Sequence, residues 1–438
     1  MGEGEAPASR TAEIRRLAAV DPEAARAGLA RLLADRFGLA ATAIEFNVDK
    51  YSLNSLNGFF SAGGEAFFFK FHQEEGEEAG RGEYYRAAIL SDAGLPVDRP
   101  VHVAALPGEQ ILVYRRRRDI RFSDLLYRLD EADDAALRAT AVAAEARLMD
   151  EVLAVYRRSL HPISPEASAA EPIHRLFHDR LVDAPGACRP GGRLARFYLG
   201  KRFAFPGLEI DWTELAALPF VINGRRYERT LGELFAEAAE RLAPERLADA
   251  GGVVAHGDAH NANVWFAGKG DAAGLVFFDP AFAGASVPTL LAEIKATFHN
   301  VFAHPFWLYD PARARATFAA SARRDGDCLH VGTDWALTAI RRDILAVKAT
   351  RLWRPLLAGL KARALLPADW RRVVRLALFL CPTMVMNLRA GVAGHDPVSS
   401  LIGLSVAVMV GSAPKAGEDA MTRFLDAVDP ELAVEEDI

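Results

Sequence analysis

The sequence predicts an α+β fold of two lobes, an antiparallel five-stranded N-terminal lobe followed by a mainly helical C-terminal lobe. Five short apolar or alternating segments within residues 44–114 are typical of strands, and a single helical segment interrupts them. From Ser123 onward apolar residues recur mainly at helical spacing. We therefore expect a tail and helix over 1–40, a sheet lobe over 41–118 and a helical lobe over 119–438.

In the N-terminal part, turn and cap residues delimit each element. Asp21 followed by Pro22 is typical of a helix start, and the helix should reach Phe37. Two glycines at 63–64 lie between apolar runs and predict a hairpin. The predicted strands are 44–48, 59–62, 66–71, 101–103 and 111–114, and a helix is predicted over 82–93.

The C-terminal part is expected to be helical with one irregular insert. An Ala-rich helix is predicted over 133–160, and residues 161–225 have the Gly, Pro and Arg content of irregular structure. An Asn-Gly pair at 223–224 predicts a small hairpin. A helix over 231–242 and a long helical tail over 290–438 complete the prediction.

Composition excludes several classes of protein. The 438 residues are 51% hydrophobic and 25% charged, as in globular proteins, and the net charge of −6 argues against a nucleic-acid-binding role. The apolar stretches 376–388 and 401–410 are shorter than the ~20 residues that a membrane helix needs, so we expect core helices and no membrane partner. Three scattered cysteines and the lack of a signal-like N-terminus lead us to expect the cytoplasm.

The segment 253–265 carries the strongest functional signal. An apolar run leads to His256 and Asp258, and Asn263 follows the aspartate by five positions. In phosphoryl transfer a carboxylate orients and deprotonates a hydroxyl while an amide helps to hold magnesium. Asp258 is thus the candidate catalytic base and Asn263 a candidate Mg²⁺ ligand. The alternative for Asp258 is a turn or helix-cap aspartate.

A second carboxylate follows within the segment 275–284. The apolar run 275–278 ends at Asp279, and a buried strand that ends in an aspartate is suited to present a metal ligand. We predict that Asp279 binds Mg²⁺ together with Asn263. The alternative is an Asp-Pro turn at the end of a strand.

The loop His256-Gly-Asp-Ala-His-Asn-Ala-Asn263 resembles the His-Gly-Asp-x-His-x-x-Asn loop of the aminoglycoside phosphotransferase and choline kinase group of small-molecule kinases. The resemblance covers residues 41–300. It implies a bilobal protein-kinase-like fold with ATP between the lobes, and transfer of the γ-phosphate to a hydroxyl of a sugar, alcohol or related metabolite. It also implies that His256 supports the loop, and that His260 either supports it or touches phosphate. After Asp279 the chain continues Pro-Ala-Phe, which departs from the group's usual pattern.

Further matches to this group lie upstream. Lys70 ends the apolar run 67–69 and so resembles the strand lysine that binds the α- and β-phosphates in kinases. Glu83, on the next helix, is the expected partner of Lys70. The turn over 51–58 is expected to cradle the nucleotide, although an ordinary hairpin turn is an equal alternative. Its candidate nucleotide-binding residues are Ser52, Asn54, Ser55 and Asn57.

Two alternative functions remain at this point. His256, Asp258 and His260 alternate along the chain and could converge on one metal ion in a metal-dependent hydrolase. A kinase fold could also serve as a non-catalytic binding protein. The sequence does not name the acceptor or the oligomeric state. The Arg-rich insert 161–226 favours a neutral or anionic acceptor, and the aromatic and histidine residues of 298–307 are either core or part of an acceptor pocket.

Overall fold

The computed structural model describes residues 9–47, 56–71, 82–104, 106, 108–184, 187 and 189–432. The chain divides into two compact units. Unit 1 contains Met1–Asp92 and Pro96–Asp119, and unit 2 contains Ala93–Leu95 and Ile120–Ile438.

Unit 1 is built on the five-stranded antiparallel sheet that the sequence predicts. The strand order is β1-β2-β3-β5-β4, so the hairpin β2–β3 and the strand β5 form the centre. The elements are α1 (Arg10–Val20), α2 (Pro22–Phe37), β1 (Thr42–Phe46), β2 (Asn57–Ala62), β3 (Glu65–Lys70), α3 (Gly82–Asp92), β4 (His102–Ala104) and β5 (Ile111–Arg115). Each predicted strand therefore exists, with its ends shifted by at most two residues.

Phenylalanine side chains and the second helix form the core of unit 1. Phe60, Phe67 and Phe69 are almost fully buried, and they belong to one apolar cluster with Leu29 and Leu32 of α2. The start of α2 is as predicted, because the Asp21 side chain accepts the backbone N–H of Ala24. Helix α1 was not predicted, since it buries only Thr11 and Ile14 and so lacks a clear apolar stripe.

Unit 2 is mainly helical. Its longest helix, α5, is capped by Asp134, whose side chain accepts two backbone N–H groups. The helices are α4 (Phe122–Glu131), α5 (Ala135–Ser159), α6 (Pro165–Ala169), α7 (His178–Leu181), α8 (Gly192–Phe197), α9 (Trp212–Leu215), α10 (Leu231–Arg241), α11 (Ile294–Thr297), α12 (Pro311–Thr317), α13 (Ala339–Val347), α14 (Arg354–Ala362), α15 (Trp370–Val385), α16 (Pro397–Gly411) and α17 (Ala420–Val428).

Short strands in unit 2 flank residues 256–263, which we call the candidate loop, and lie in and near the insert 161–225. They are β6 (Ile120–Arg121), β7 (Arg202–Phe205), β8 (Leu208–Asp211), β9 (Phe220–Ile222), β10 (Arg225–Arg226), β11 (Gly252–Ala255), β12 (Val264–Ala267), β13 (Gly274–Phe277), β14 (Gly284–Pro288), β15 (Ala320–Asp325) and β16 (Cys328–Thr333). The pairs β12–β13 and β11–β14 are antiparallel and hold both ends of the candidate loop.

Two predictions for unit 2 were wrong in part. The insert 161–225 is not irregular throughout, because it contains short helices and the hairpin β7–β8. The tail is not wholly helical, because β15 and β16 form an antiparallel hairpin and β16 also pairs in parallel with β9. The turn at Gly326, which has a φ of 60°, follows Asp325, and this Asp-Gly pair is a hairpin signal within a stretch that was expected to be helical.

The two apolar stretches of the tail are core helices, as predicted. Helices α15 and α16 are buried along nearly their whole length, and they pack against each other. Within the described residues, no helix combines the length and apolar character that crossing a membrane would require. Cys328 and Cys381 are both buried free thiols.

Candidate functional site

The candidate loop begins with a backbone turn that only glycine tolerates. Strand β11 ends at Ala255, and Gly257 then adopts a φ of 76°. A Cβ atom at Gly257 would lie 2.5 Å from the carbonyl oxygen of Phe282. The turn therefore places Asp258 beside the segment that follows Asp279.

We expect Gly257→Ala to destabilise the protein by at least ~1–2 kcal/mol, the approximate cost of a left-handed conformation for a residue with a Cβ atom. The contact with Phe282 adds to this cost. Gly359→Ala is the matched control, because Gly359 lies in α14 and a Cβ atom there would have open space around it. That substitution should stabilise by roughly 0.5–1 kcal/mol. Urea unfolding measures both, and equal effects would contradict the turn's role.

His256 fixes the loop through both ring nitrogens. Its Nε2 donates to the carbonyl oxygen of Phe278 at 3.0 Å, and its Nδ1 accepts the backbone N–H of Asp258 at 3.3 Å. Burial lowers the pKa of His256, so the neutral ring with the proton on Nε2 is favoured. A histidine engaged in this way has no nitrogen lone pair for a metal, which removes one ligand from the hydrolase alternative. No group of three His, Cys, Asp or Glu side chains in the described ranges could hold a metal ion.

Asn263 and Asp279 are brought to the same end of the β12–β13 ladder. Val264 pairs with Phe277, and the N–H of Phe278 donates to the Asn263 carbonyl at 3.0 Å. The Asn263 amide Nδ2 donates to the Asp258 carbonyl at 3.0 Å, which leaves Oδ1 as an acceptor. Asp279 adopts a φ of 53°, a conformation that is costly for a non-glycine residue and is often found at functional sites. An amide oxygen and a carboxylate here fit the oxygen preference of Mg²⁺.

Asp258 is half-buried and has one oxygen in need of a partner. Its Oδ1 is buried, and none of the described residues gives it a hydrogen bond. The nearest basic groups among the described residues are Lys295, with Nζ 3.9 Å from Oδ1, and His260, with Nε2 3.7 Å from Oδ2. Burial lowers the pKa of His260, so this ring is favoured as neutral. A hydroxyl group bound at Oδ1 would satisfy the carboxylate and be oriented by it.

His260 supports the loop through its other nitrogen. Its Nδ1 accepts the backbone N–H of Ala262 at 3.3 Å, at the start of the short 3-10 turn Asn261–Asn263. The same ring lies 5.2 Å from the ring of His299, measured between centroids. His260 therefore lies beside Asp258, and its hydrogen bond with the Ala262 N–H holds the ring in that position.

Sequence reasoning missed Lys295, which lies in α11, and did not assign Asn300. Lys295 Nζ is 3.0 Å from His299 Nε2, and His299 Nδ1 meets the hydroxyl of Tyr309. Asn300 Oδ1 accepts the backbone N–H of Asn261 at 2.8 Å, inside the candidate loop. These residues approach Asp258 only because the segment 294–302 packs on the loop, and no motif spacing encodes that packing.

The segment 298–307 combines both alternatives proposed for it. Phe298, Phe302 and Trp307 are completely buried and are core residues. His299 is also buried, but it contacts Lys295 and thereby reaches the surroundings of Asp258. The aromatic spacing thus indicates core, whereas the histidine belongs to the site.

Unit 1 contains the candidate nucleotide-binding residues. Lys70 ends β3 and pairs with Asn57 on one side and Leu112 on the other, in the middle of the sheet. Asn57 is therefore not in the turn, as the sequence led us to expect, but is a buried residue of β2. Glu83 is in the first turn of α3. The other three candidates, Ser52, Asn54 and Ser55, lie outside the described residues.

No family model matches the chain, and neither does any curated protein sequence. Among solved structures, the chain is similar to a thermostable mutant of aminoglycoside phosphotransferase APH(4)-Ia, with 14% identity, 86% of this chain and 97% of that chain covered, and a TM-score of 0.43. It is also similar to a Plasmodium vivax ethanolamine kinase, with 8% identity, 93% and 95% covered, and a TM-score of 0.41.

A microcompartment-associated aminopropanol kinase is similar at 12% identity, with 87% of this chain and 94% of that chain covered, and a TM-score of 0.39. All three are small-molecule kinases or phosphotransferases, the class whose loop this sequence resembles.

Proposed function

We propose that this protein is an ATP-dependent, Mg²⁺-dependent kinase that transfers the γ-phosphate to a hydroxyl group of a small molecule. One observation carries the proposal. The carboxylate of Asp258 has a buried oxygen without a hydrogen-bond partner among described residues, and the loop that holds it also holds Asn263 and leads to Asp279. Base and metal ligands within one hydrogen-bonded segment are what phosphoryl transfer requires.

Each residue has a role that follows from its position. Asp258 orients the acceptor hydroxyl through Oδ1 and takes its proton during transfer. Asn263 Oδ1 and the Asp279 carboxylate would hold Mg²⁺, which supplies charge neutralisation on the phosphates. His256 keeps the loop in shape through its bonds to Phe278 and Asp258. The short fixed turn allows little reorganisation when the substrates bind.

The candidate phosphate-binding residues of unit 1 complete the proposal. Lys70 would bind the α- and β-phosphates, with Glu83 as its partner. Its place in the central part of the sheet, between β2 and β5, gives the lysine a rigid base. The buried free thiols Cys328 and Cys381 are compatible with a reducing compartment, and we propose the cytoplasm.

Thermal unfolding with MgATP tests this function. At about 100 times the dissociation constant, a ligand stabilises the folded protein by about 2.7 kcal/mol. We expect MgATP to raise the Tm, and we expect Asp279→Ala and Lys70→Ala to abolish most of that increase. ATP without Mg²⁺ should stabilise less, because Asp279 would then face the phosphates without a cation between them.

Two exposed residues provide matched controls. Lys269→Ala removes one positive charge, as Lys70→Ala does, and Asp271→Ala removes one negative charge, as Asp279→Ala does. Both controls lie in the exposed turn between β12 and β13, and both should keep the full response to MgATP. Absence of any response in the wild type would contradict the kinase. Stabilisation by Zn²⁺ or Mn²⁺ alone that depends on His260 would instead support the metal-dependent hydrolase.

A further inference from the structure

A buried lysine lies beside the proposed base. Lys295 is 3% exposed, and its Nζ is 3.9 Å from Asp258 Oδ1 and 3.0 Å from His299 Nε2. The Oδ1 atom is the oxygen without a hydrogen-bond partner in the described part of the chain, so the ammonium faces the place where a hydroxyl would bind. Lys295 therefore belongs to the acceptor side of Asp258.

His299, which contacts Lys295, does not offset the lysine's charge. Burial, with the positive charge of Lys295, lowers the pKa of His299 well below its usual range, so this ring is neutral. His299 Nε2 then accepts from the ammonium, which puts its proton on Nδ1 towards Tyr309. Asp258 is the carboxylate that pairs with Lys295, and the proposed reaction engages that same carboxylate with the acceptor hydroxyl.

Two arginines add positive charge near Lys295. Arg180 and Arg193 are near enough for their charges to oppose protonation of Lys295 and lower its pKa, although burial is the larger cause. Arg193 Nη1 donates to the carbonyl of Met384 at 2.7 Å, near the end of α15. Cys381, in the same helix α15, is close enough to interact electrostatically with Lys295. The Arg193 guanidinium is therefore hydrogen-bonded to a helix that also comes close to Lys295.

An acceptor with an ammonium group would compete with the hydroxyl for Asp258, and it would face the buried cation Lys295. An acidic group would instead meet Lys295 as a partner, at a site where burial strengthens the attraction. We propose, on the basis of the proposed kinase activity, that the acceptor is an anionic hydroxyl compound and that Lys295 is the residue that selects it. Carboxylate and phosphate groups share the required chemistry.

Fractionated acceptors test the substrate class. A protein-free small-molecule extract is separated on an anion-exchange resin, and each fraction is incubated with the protein, Mg²⁺ and ATP labelled with ¹⁸O in the γ-phosphate. Mass spectrometry then detects labelled products. We expect labelled product from the retained, anionic fraction, and its fragmentation distinguishes a carboxylate from a phosphate acceptor. Labelled product from the flow-through alone would overturn the inference while leaving the kinase intact.

No labelled product from either fraction, together with no stabilisation by MgATP, would instead contradict the kinase activity itself. The two failures are therefore distinguishable. With the acceptor found, Lys295→Met should raise its KM by about tenfold or more, as expected for a lost hydrogen bond to a charged group. The KM for MgATP should stay unchanged.

Lys295→Arg is the matched variant, because it keeps the positive charge. It should retain most of the acceptor affinity that Lys295→Met loses. If Lys295 were merely structural, both variants would lower the Tm and kcat together without a selective change in the acceptor KM. That pattern would overturn the assignment of Lys295.

Discussion

Replacing Asp258 with Asn is expected to lower kcat by about 10²- to 10⁴-fold, the usual contribution of a positioned general base. The amide keeps the shape of the side chain. The two backbone hydrogen bonds also remain, one from the Asp258 N–H to His256 and one from the Asn263 amide to the Asp258 carbonyl. It cannot take the proton of the acceptor hydroxyl. The KM for MgATP should change little, because Asp258 contacts the hydroxyl and not the nucleotide in the proposed arrangement. Steady-state ADP release measures both constants.

The control for this substitution is Asp271→Asn, which removes a carboxylate from the exposed turn before β13. It should leave kcat unchanged. Full activity of Asp258→Asn would show that another group accepts the proton, and it would also remove the main support for the proposed function.

Arg341→Met is expected to cost about 3–5 kcal/mol of folding free energy, as when one partner of a buried ion pair is removed. The side chains of Arg341 and Asp130 are both completely buried, and the guanidinium Nε lies 3.1 Å from each carboxylate oxygen. Thr338 donates a further hydrogen bond to Asp130. Without the arginine, the buried carboxylate keeps the Thr338 hydroxyl but loses the positive charge that offsets it. Urea unfolding measures the loss.

The adjacent residue supplies the control. Arg342 is on the exposed side of the same helix, and Arg342→Met should stay within about 0.5 kcal/mol of the wild type. Asp130→Asn in the Arg341→Met background should recover part of the stability, because it removes the uncompensated charge. Equal losses for the two arginine variants would contradict the importance of the buried pair.

Arg341 also affects the site. Its Nη1 donates to the Asn300 carbonyl at 2.8 Å, and the Asn300 side chain holds the N–H of Asn261 in the candidate loop. Loss of Arg341 should therefore reduce activity at temperatures where the protein is still folded. This coupling links α13, which carries no recognisable motif, to the loop.

The sequence predicted the sheet of unit 1 well because its signals are local. Glycine turns, the Asp21-Pro22 helix start and runs of phenylalanine lie within a few residues of the elements that they specify. The candidate loop was predictable for the same reason, since its base and its amide are five positions apart. The hairpin β15–β16 was missed because its polar, Arg-rich alternation resembles an exposed helix unless the Asp-Gly turn is weighed.

The remaining site residues depend on tertiary packing. Lys295 follows Asp258 by 37 positions in the sequence, and its approach depends on how α11 packs on the loop. Isolated lysines occur throughout the sequence, so its position alone gives no signal. Asn300 and Arg341 likewise acquire their roles from the fold. Their hydrogen bonds go to the backbone N–H of Asn261 and the backbone carbonyl of Asn300, and backbone groups of this kind leave no signal in the sequence.

The pairing of β11 with β14 has a consequence for how this protein could be controlled. The chain passes Asp279 and, after Pro280–Ala283, is already hydrogen-bonded to the strand that leads into His256. So short a connection cannot swing away from the loop and return, nor can it present a flexible stretch for covalent modification. In the proposed kinase, Asp279 would therefore stay beside the candidate loop without a separate activation step, and the rate would depend on the concentrations of the two proposed substrates.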